Sequence, residues 1–437
     1  MQRFKALIIL LSFISYTASA QTEWYLDGSY RLRFETLDNS FRFNNSGSDQ
    51  ILASRLLLAT GFRNRNLFGE FELEDARTWL DDDGTPLGTD DVNVLEPLQA
   101  YLGWRWQKAV DQQVSLKAGR MTIDLGSRRF LSRNNFRNTV NGFSGLHADW
   151  QHKGMQLQIF HVYPLARKPA LQSLLADNDR ALDSVHQAER FSGVHLGLTE
   201  FIEPDLEFFL LHLTEDDSAK GQTRNRRINT LGIRIRQASE PRHWDYEAEL
   251  AWQYGKSRPT TALVVTQDLA HRAGFLHGEF GYRFADSCST RLSIQFDYAE
   301  GDRNSGDSDY NHFDTLFGAR RFEFGPTGIY GLLSRANILS PALRWEASQG
   351  PWAAMLAYRA VWQASDNDLL LAANLPGNGD SFTGQQLEGR LRLALSASLQ
   401  FETGAAWFNK GELYEQYGAA VEQGDTRYWY SQISLRF

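Results

Sequence analysis

Hydrophobic and polar residues alternate with a period of two along most of this chain. Between positions 26 and 35, Leu26, Tyr30, Leu32 and Phe34 fall on one face, and Asp27, Ser29, Arg31, Arg33 and Glu35 on the other. That period places apolar side chains on one side of a β-strand and polar ones on the opposite side. Trp244, Tyr246, Ala248, Leu250, Trp252 and Tyr254 oppose Asp245, Glu247, Glu249 and Gln253 in the same way. So do Leu387, Leu391, Leu393 and Leu395 against Glu388, Arg390 and Arg392. The pattern predicts strands near 24–35, 50–63, 66–77, 94–106, 114–120, 143–150, 155–163, 192–199 and 206–214. Nine more are expected near 228–237, 244–254, 274–284, 290–298, 341–347, 352–362, 385–395, 397–408 and 427–437. The total is eighteen, and weakness among the segments at 114–120, 206–214 and 341–347 would bring it down to sixteen, the next lower even number.

The connections alternate too. After even-numbered segments they are short, as at Asn64-Arg65, Gln151 to Gly154 and around Ser396. After odd-numbered segments they are long: 78–93, 164–191, 299–340 and 363–384. Short periplasmic turns alternating with long outer loops characterise a transmembrane antiparallel β-barrel. In hydrocarbon every backbone N–H and C=O must pair within the protein, which a closed barrel achieves. Aromatic residues gather at strand ends (Trp104, Trp106, Trp150, Tyr254, Tyr298, Trp407), as interfacial girdles require.

Composition narrows the class. Mean hydropathy is -0.43, and beyond residue 20 no apolar run reaches the roughly 18 residues of a membrane helix. The single cysteine, Cys288, excludes an intramolecular disulfide scaffold. Residues 1–20 read as a signal peptide: Arg3 and Lys5, an apolar run from Ala6 to Ile14, then Ala18-Ser19-Ala20. Residues 21–437 would then form the barrel, its last strand ending at Phe437 like the assembly signal read by the barrel-assembly machinery. Net charge is -8, which argues against a nucleic-acid partner.

Of the 45 basic residues, 8 are Lys and 37 are Arg. Arginine's planar fork suits bidentate recognition of carboxylates. By parity the lumen-facing arginines are Arg31, Arg33, Arg55, Arg105, Arg234, Arg236, Arg283, Arg291, Arg390 and Arg392. The segment from Gly126 to Asn141 adds Arg128, Arg129, Arg133 and Arg137, and folded into the lumen it would form the constriction. The same wall faces carry Glu35, Glu72, Glu74, Glu247, Glu249, Asp297 and Glu388. Wall arginines are therefore expected mainly to pair across strands, and the loop cluster to meet solute. Arg120 has the wrong parity for the lumen unless Gly119 marks a bulge, and reads as structural. Asp81-Asp82-Asp83-Gly84 and the stretch Asp302, Asn304, Gly306, Asp307 and Asp309 offer oxygen ligands for Ca²⁺ on outer loops, although Phe313 stands where an EF-hand needs Glu. No other cofactor is indicated. No Gly-x-Ser-x-Gly element appears.

Gly119-Arg120, Gly126, Arg129, Ser132, Asn138, Phe143 and Gly145 resemble the signature of the alginate-export family of outer-membrane porins. Gly301-Asp302 with Phe313-Asp314-Thr315-Leu316-Phe317, and Gly384-x-Gln386-x-Glu388, resemble two further family elements. Leu125 replaces the usual aromatic, Thr122 an acidic residue and Ser144 an Asp. The resemblance implies an eighteen-stranded, arginine-rich pore in the outer membrane of a Gram-negative cell, bordered by lipid and lipopolysaccharide. It would conduct alginate-type uronate saccharides passively, with no chemistry performed. A porin for small organic anions is the alternative; a loop-based adhesin and a barrel enzyme are the other classes.

Overall fold

The computed structural model describes residues 22–45, 47–82, 84–85, 87–199, 203–217, 222–370 and 376–437. The segment read as a signal peptide and Asp83 lie outside the described residues. Eighteen long strands form, one at each expected segment. They are β1 (Glu23–Asp38), β2 (Asp49–Arg63), β3 (Leu67–Trp79), β4 (Asn93–Ala109), β5 (Gln112–Met121) and β6 (Phe143–His152). Next come β7 (Met155–Ala166), β8 (Glu189–Leu198), β9 (Asp205–Glu215), β10 (Arg227–Gln237), β11 (Trp244–Ser257) and β12 (Leu269–Arg283). The last are β13 (Arg291–Ala299), β14 (Ile338–Gln349), β15 (Trp352–Trp362), β16 (Phe382–Ala394), β17 (Leu399–Lys410) and β18 (Thr426–Arg436). Each pairs antiparallel with the next, and β18 returns to β1 with Arg436 opposite Ser29 and Arg427 opposite Asp38. The barrel is closed. The weak segments are true strands, so the count is eighteen rather than sixteen.

Burial is inverted relative to a water-soluble protein. In β11, Trp244 is 59% exposed and Leu250 51%, whereas Asp245 is 2%, Glu249 1% and Gln253 0% exposed. The apolar face therefore points outward to lipid and the charged face inward. Trp24, Trp106 and Trp244 mark the end of the wall that carries the short turns; Tyr254, Trp407 and Trp429 mark the other.

Two glycines of the sequence signature explain themselves here. Gly119 in β5 lies opposite Gly145 in β6. A Cβ on Gly119 would stand 2.3 Å from the Ala100 carbonyl oxygen, and one on Gly145 would stand 2.2 Å from that of His161. Neighbouring backbones approach too closely there for any side chain.

Candidate pore and its loop plug

Two long loops fold inward. The loop 122–142 follows β5 and the loop 300–337 follows β13. They bond to each other: Ser132 N donates to Phe317 O at 3.1 Å, Phe317 N to Phe130 O at 3.0 Å, and Ala319 N to Arg128 O at 2.9 Å. Their apolar side chains, among them Ile123, Phe130, Phe313, Phe324, Tyr330 and Leu332, are buried against inward residues of the wall such as Phe209 and Phe275. A packed apolar core inside a barrel is a plug. It is a satellite of the fold built from loop residues, held by dispersion and by exclusion of water.

Charged contacts tie the plug to the wall. Arg129 Nε donates to Glu323 Oε1 at 2.9 Å, and its Nη1 meets both Glu247 and Glu249 of β11. Arg335 bonds the other oxygen of Glu323 and the carbonyl of Arg129. Arg133 Nη2 donates to Glu72 at 2.6 Å, and Arg137 pairs with Asp90. Arg321, on the short helix Arg321–Phe324, pairs with Glu388 of β16 at 2.6 Å. Asn138 donates from Nδ2 to the carbonyls of Ser54, Arg77 and Asp91. Asp314 accepts from Arg226 at 3.1 Å. The signature residues Arg129, Asn138, Phe313, Asp314 and Glu388 therefore share one place, the contact between plug and wall.

Three of the loop's four expected pore arginines are thus committed to carboxylates. Arg128 is not. It is exposed, has a positive φ of 65°, lies 4.1 Å over the Phe322 ring, and has no ion-pair partner among the described residues.

The wall arginines divide likewise. Arg234 pairs with Glu207 and Glu247, Arg236 with Asp205, Arg392 with Glu402, and Arg291 with Asp245 and Glu279. Arg283 donates to Ser239 Oγ at 3.0 Å, and Arg105 lies 5.1 Å over Phe68. Arg31, Arg33 and Arg55 donate to carbonyls of the 122–142 loop. Arg390 has no ion-pair partner among the described residues. Arg120 pairs with Glu96 at 2.6 Å, in keeping with a structural role. In the stretch proposed for Ca²⁺, oxygens of Asp302, Asn304 and Asp307 accept the backbone N–H groups of Asn311, Gly306 and Asp309.

Below the plug lies a cavity of about 1080 Å³. It runs from the turn Ser396–Leu399 and the C-terminal Arg436 and Phe437 up to Arg128, Asn135, Phe136 and Phe322. Twelve arginines and seven acidic side chains line it. The arc β14 to β2 contributes Arg344, Arg390, Arg392, Arg436, Arg31 and Arg55 against Glu346, Glu402 and Asp27, whereas β10 to β13 contribute Arg234 and Arg291 against Glu247 and Glu279.

Sequence reasoning missed Arg321, Glu323 and Arg335, because the long connection 299–340 read as a solvated outer loop, and it missed Arg344 on the weakly patterned strand β14. The run Arg320-Arg321-Phe322-Glu323-Phe324, with aromatics among charges, was the available signal.

The barrel is similar to solved outer-membrane channels. A BenF-like porin from Pseudomonas fluorescens Pf-5 superposes with a TM-score of 0.60 at 12% identity, over 95% of this chain and 98% of that one. Acinetobacter baumannii OccAB1 gives 0.59 at 10% identity, over 95% and 96%. Pseudomonas aeruginosa OpdK with vanillate gives 0.55 at 12%, over 94% and 98%. At such identities the likeness concerns the fold. No curated protein sequence matches the chain. The family model for alginate export matches residues 24–426. With the closed barrel and the signature residues at the plug, that match settles the family: the chain belongs to the alginate-export family, as an outer-membrane β-barrel channel.

Proposed function

We propose that this barrel is a passive, anion-selective channel for uronate-type saccharides. The supporting observation is the arginine excess of the cavity, twelve against seven acidic side chains. Arg128, Arg390 and Arg436 line it and have no ion-pair partner among the described residues. Six of the seven acidic groups pair with an arginine, some sharing Arg129 or Arg291, and the arginines outnumber them, so the field left over is positive. A narrow lumen with low-dielectric walls concentrates such a field and raises the local density of anions. A uronate chain would pass from one guanidinium to the next through exchangeable charge-assisted hydrogen bonds. The lipid face would meet outer-membrane lipid and lipopolysaccharide, and the strand ending in Phe437 would engage the assembly machinery.

One observation favours a second reading, a channel for small organic anions. The plug fills the outer part of the lumen, and OpdK, a channel of similar fold, is solved with the small molecule vanillate. Current through a planar bilayer separates the two readings. Block by a uronate trimer but not by a neutral trisaccharide supports the saccharide channel. Block only by small carboxylates supports the second reading, and block by neither overturns both.

A further inference from the structure

Arg31 and Arg33 on β1 and Arg55 on β2 stand side by side, with Arg31 directly opposite Arg55. All three are buried, at 6%, 0% and 8% exposure. Among the described residues a single carboxylate lies within ion-pair reach of the three, Glu35, at 2.6 Å from Arg33 Nε. Three buried guanidiniums beside one carboxylate leave an excess of positive charge in a low-dielectric place, which is expensive unless something anionic or strongly accepting compensates it.

The compensation comes from the plug's backbone. Arg31 Nη1 donates to the carbonyls of Asn135 and Phe136, both at 3.0 Å, and Arg31 Nη2 donates to the carbonyl of Arg137 at 2.8 Å. Arg33 Nη1 donates to Phe136 O at 2.7 Å. Arg55 Nη1 donates to Asn135 O and Arg137 O, both at 3.0 Å. Three consecutive neutral carbonyls thus sit in a cradle built for anionic oxygens. The fit is incomplete: Arg31 Nε and Arg33 Nη2 are buried without a hydrogen-bond partner. Arg31, Arg55, Asn135 and Phe136 all line the cavity, so a solute arriving there meets this cradle at its edge.

We propose that Arg31, Arg33 and Arg55 form a carboxylate site held in reserve by the loop carbonyls of residues 135–137, and that a uronate carboxylate displaces those carbonyls and releases the plug. The inference rests on the anion-channel reading and adds its regulation. A charged carboxylate forms stronger hydrogen bonds to guanidinium than a neutral carbonyl does. The solute therefore favours the state with the loop withdrawn, and differential affinity of that kind is what shifts a two-state equilibrium. The seated loop would keep the channel shut to neutral solutes, while the transported anion would unlock it.

Hydrogen exchange on the unaltered protein tests this without any substitution. When the loop is seated, Thr139 N donates to Asp90 O, Val140 N to Glu74 Oε1 and Asn141 N to Arg133 O. Addition of a uronate trimer should speed exchange of these amides about tenfold, the size expected if the ligand prefers the released state by that factor. A neutral trisaccharide should leave the rate unchanged. In the double variant Arg31→Gln, Arg55→Gln, exchange should already be fast and no longer respond to uronate. Exchange that uronate slows or leaves alone, or that the neutral sugar speeds equally, overturns the proposal. The reversal potential of the same preparation distinguishes the failures. Anion selectivity without accelerated exchange removes the latch alone, and cation selectivity removes the channel reading beneath it.

Discussion

Arg129 and Glu323 meet at 2.9 Å across 194 positions of sequence, joining the two inserted loops inside the barrel. Glu323 also holds Arg335, and Arg129 also holds Glu247 and Glu249. Glu323→Gln leaves buried Arg335 with no carboxylate partner among the described residues, while Arg129 keeps Glu247 and Glu249. Removing one partner of a buried pair costs about 3–5 kcal/mol. The expected result is a loosened plug in an intact barrel: larger, noisier single-channel currents and new protease cleavage within 300–337.

The same carboxyl sets a pH dependence. Burial alone would raise its pKa, but Arg335 and Arg129 overcome burial and hold it below the usual glutamate range. A depressed value in the folded state means that the stabilisation is complete above the unfolded pKa, about 4.3. It fades as pH falls through the lower folded value. Conductance should stay level on acidification from neutral pH through the ordinary glutamate range and rise only below it. A rise beginning near neutral pH would point to another group.

Adjacent arginines should behave oppositely. Arg128→Ala removes an unpaired charge over Phe322, so anion selectivity should fall while stability changes by less than about 0.5 kcal/mol. Arg129→Ala takes a partner from three carboxylates and leaves buried Glu249 with no ion pair among the described residues, so the folded fraction should fall first. Reversal potentials and urea unfolding in lipid vesicles measure both.

The two faces of the wall should differ as sharply. Leu250 faces lipid near the middle of β11. Leu250→Arg should cost about 2–4 kcal/mol in unfolding from vesicles. Gln400→Arg, at the cavity, should change conductance and leave stability nearly unaltered.

Gly119→Ala tests the signature. With only 2.3 Å to the Ala100 carbonyl oxygen, the new methyl forces β4 and β5 apart. Folded, heat-modifiable protein should drop markedly on a gel. A normal yield would show that this glycine serves something other than strand packing.

The barrel was legible because its signal is local. Period-two alternation fixes which residues face lipid, and alternating connection lengths fix the hairpins, so Trp244 to Tyr254 could be placed from neighbours alone. The inward loop was legible too, since four arginines between Arg128 and Arg137 fit neither a strand nor a periplasmic turn. Partnership was not. Parity tells that Arg31 and Arg234 both face the lumen, but not that one meets the carbonyls of Asn135 to Arg137 and the other Glu207 and Glu247. That depends on height along the barrel and on loops distant in sequence. The second loop was missed for the same reason: Glu323 and Arg335 acquire meaning only beside Arg129.

The central claim is that positive charge governs the lumen although acidic residues outnumber basic ones in the whole chain. The most direct measurement is the reversal potential of the purified channel in a planar bilayer under a KCl gradient. The account predicts a potential of the sign that chloride permeation gives, shifting toward cation permeation in Arg128→Ala and Arg390→Ala. A potential of the sign that potassium permeation gives in the unaltered protein would contradict it.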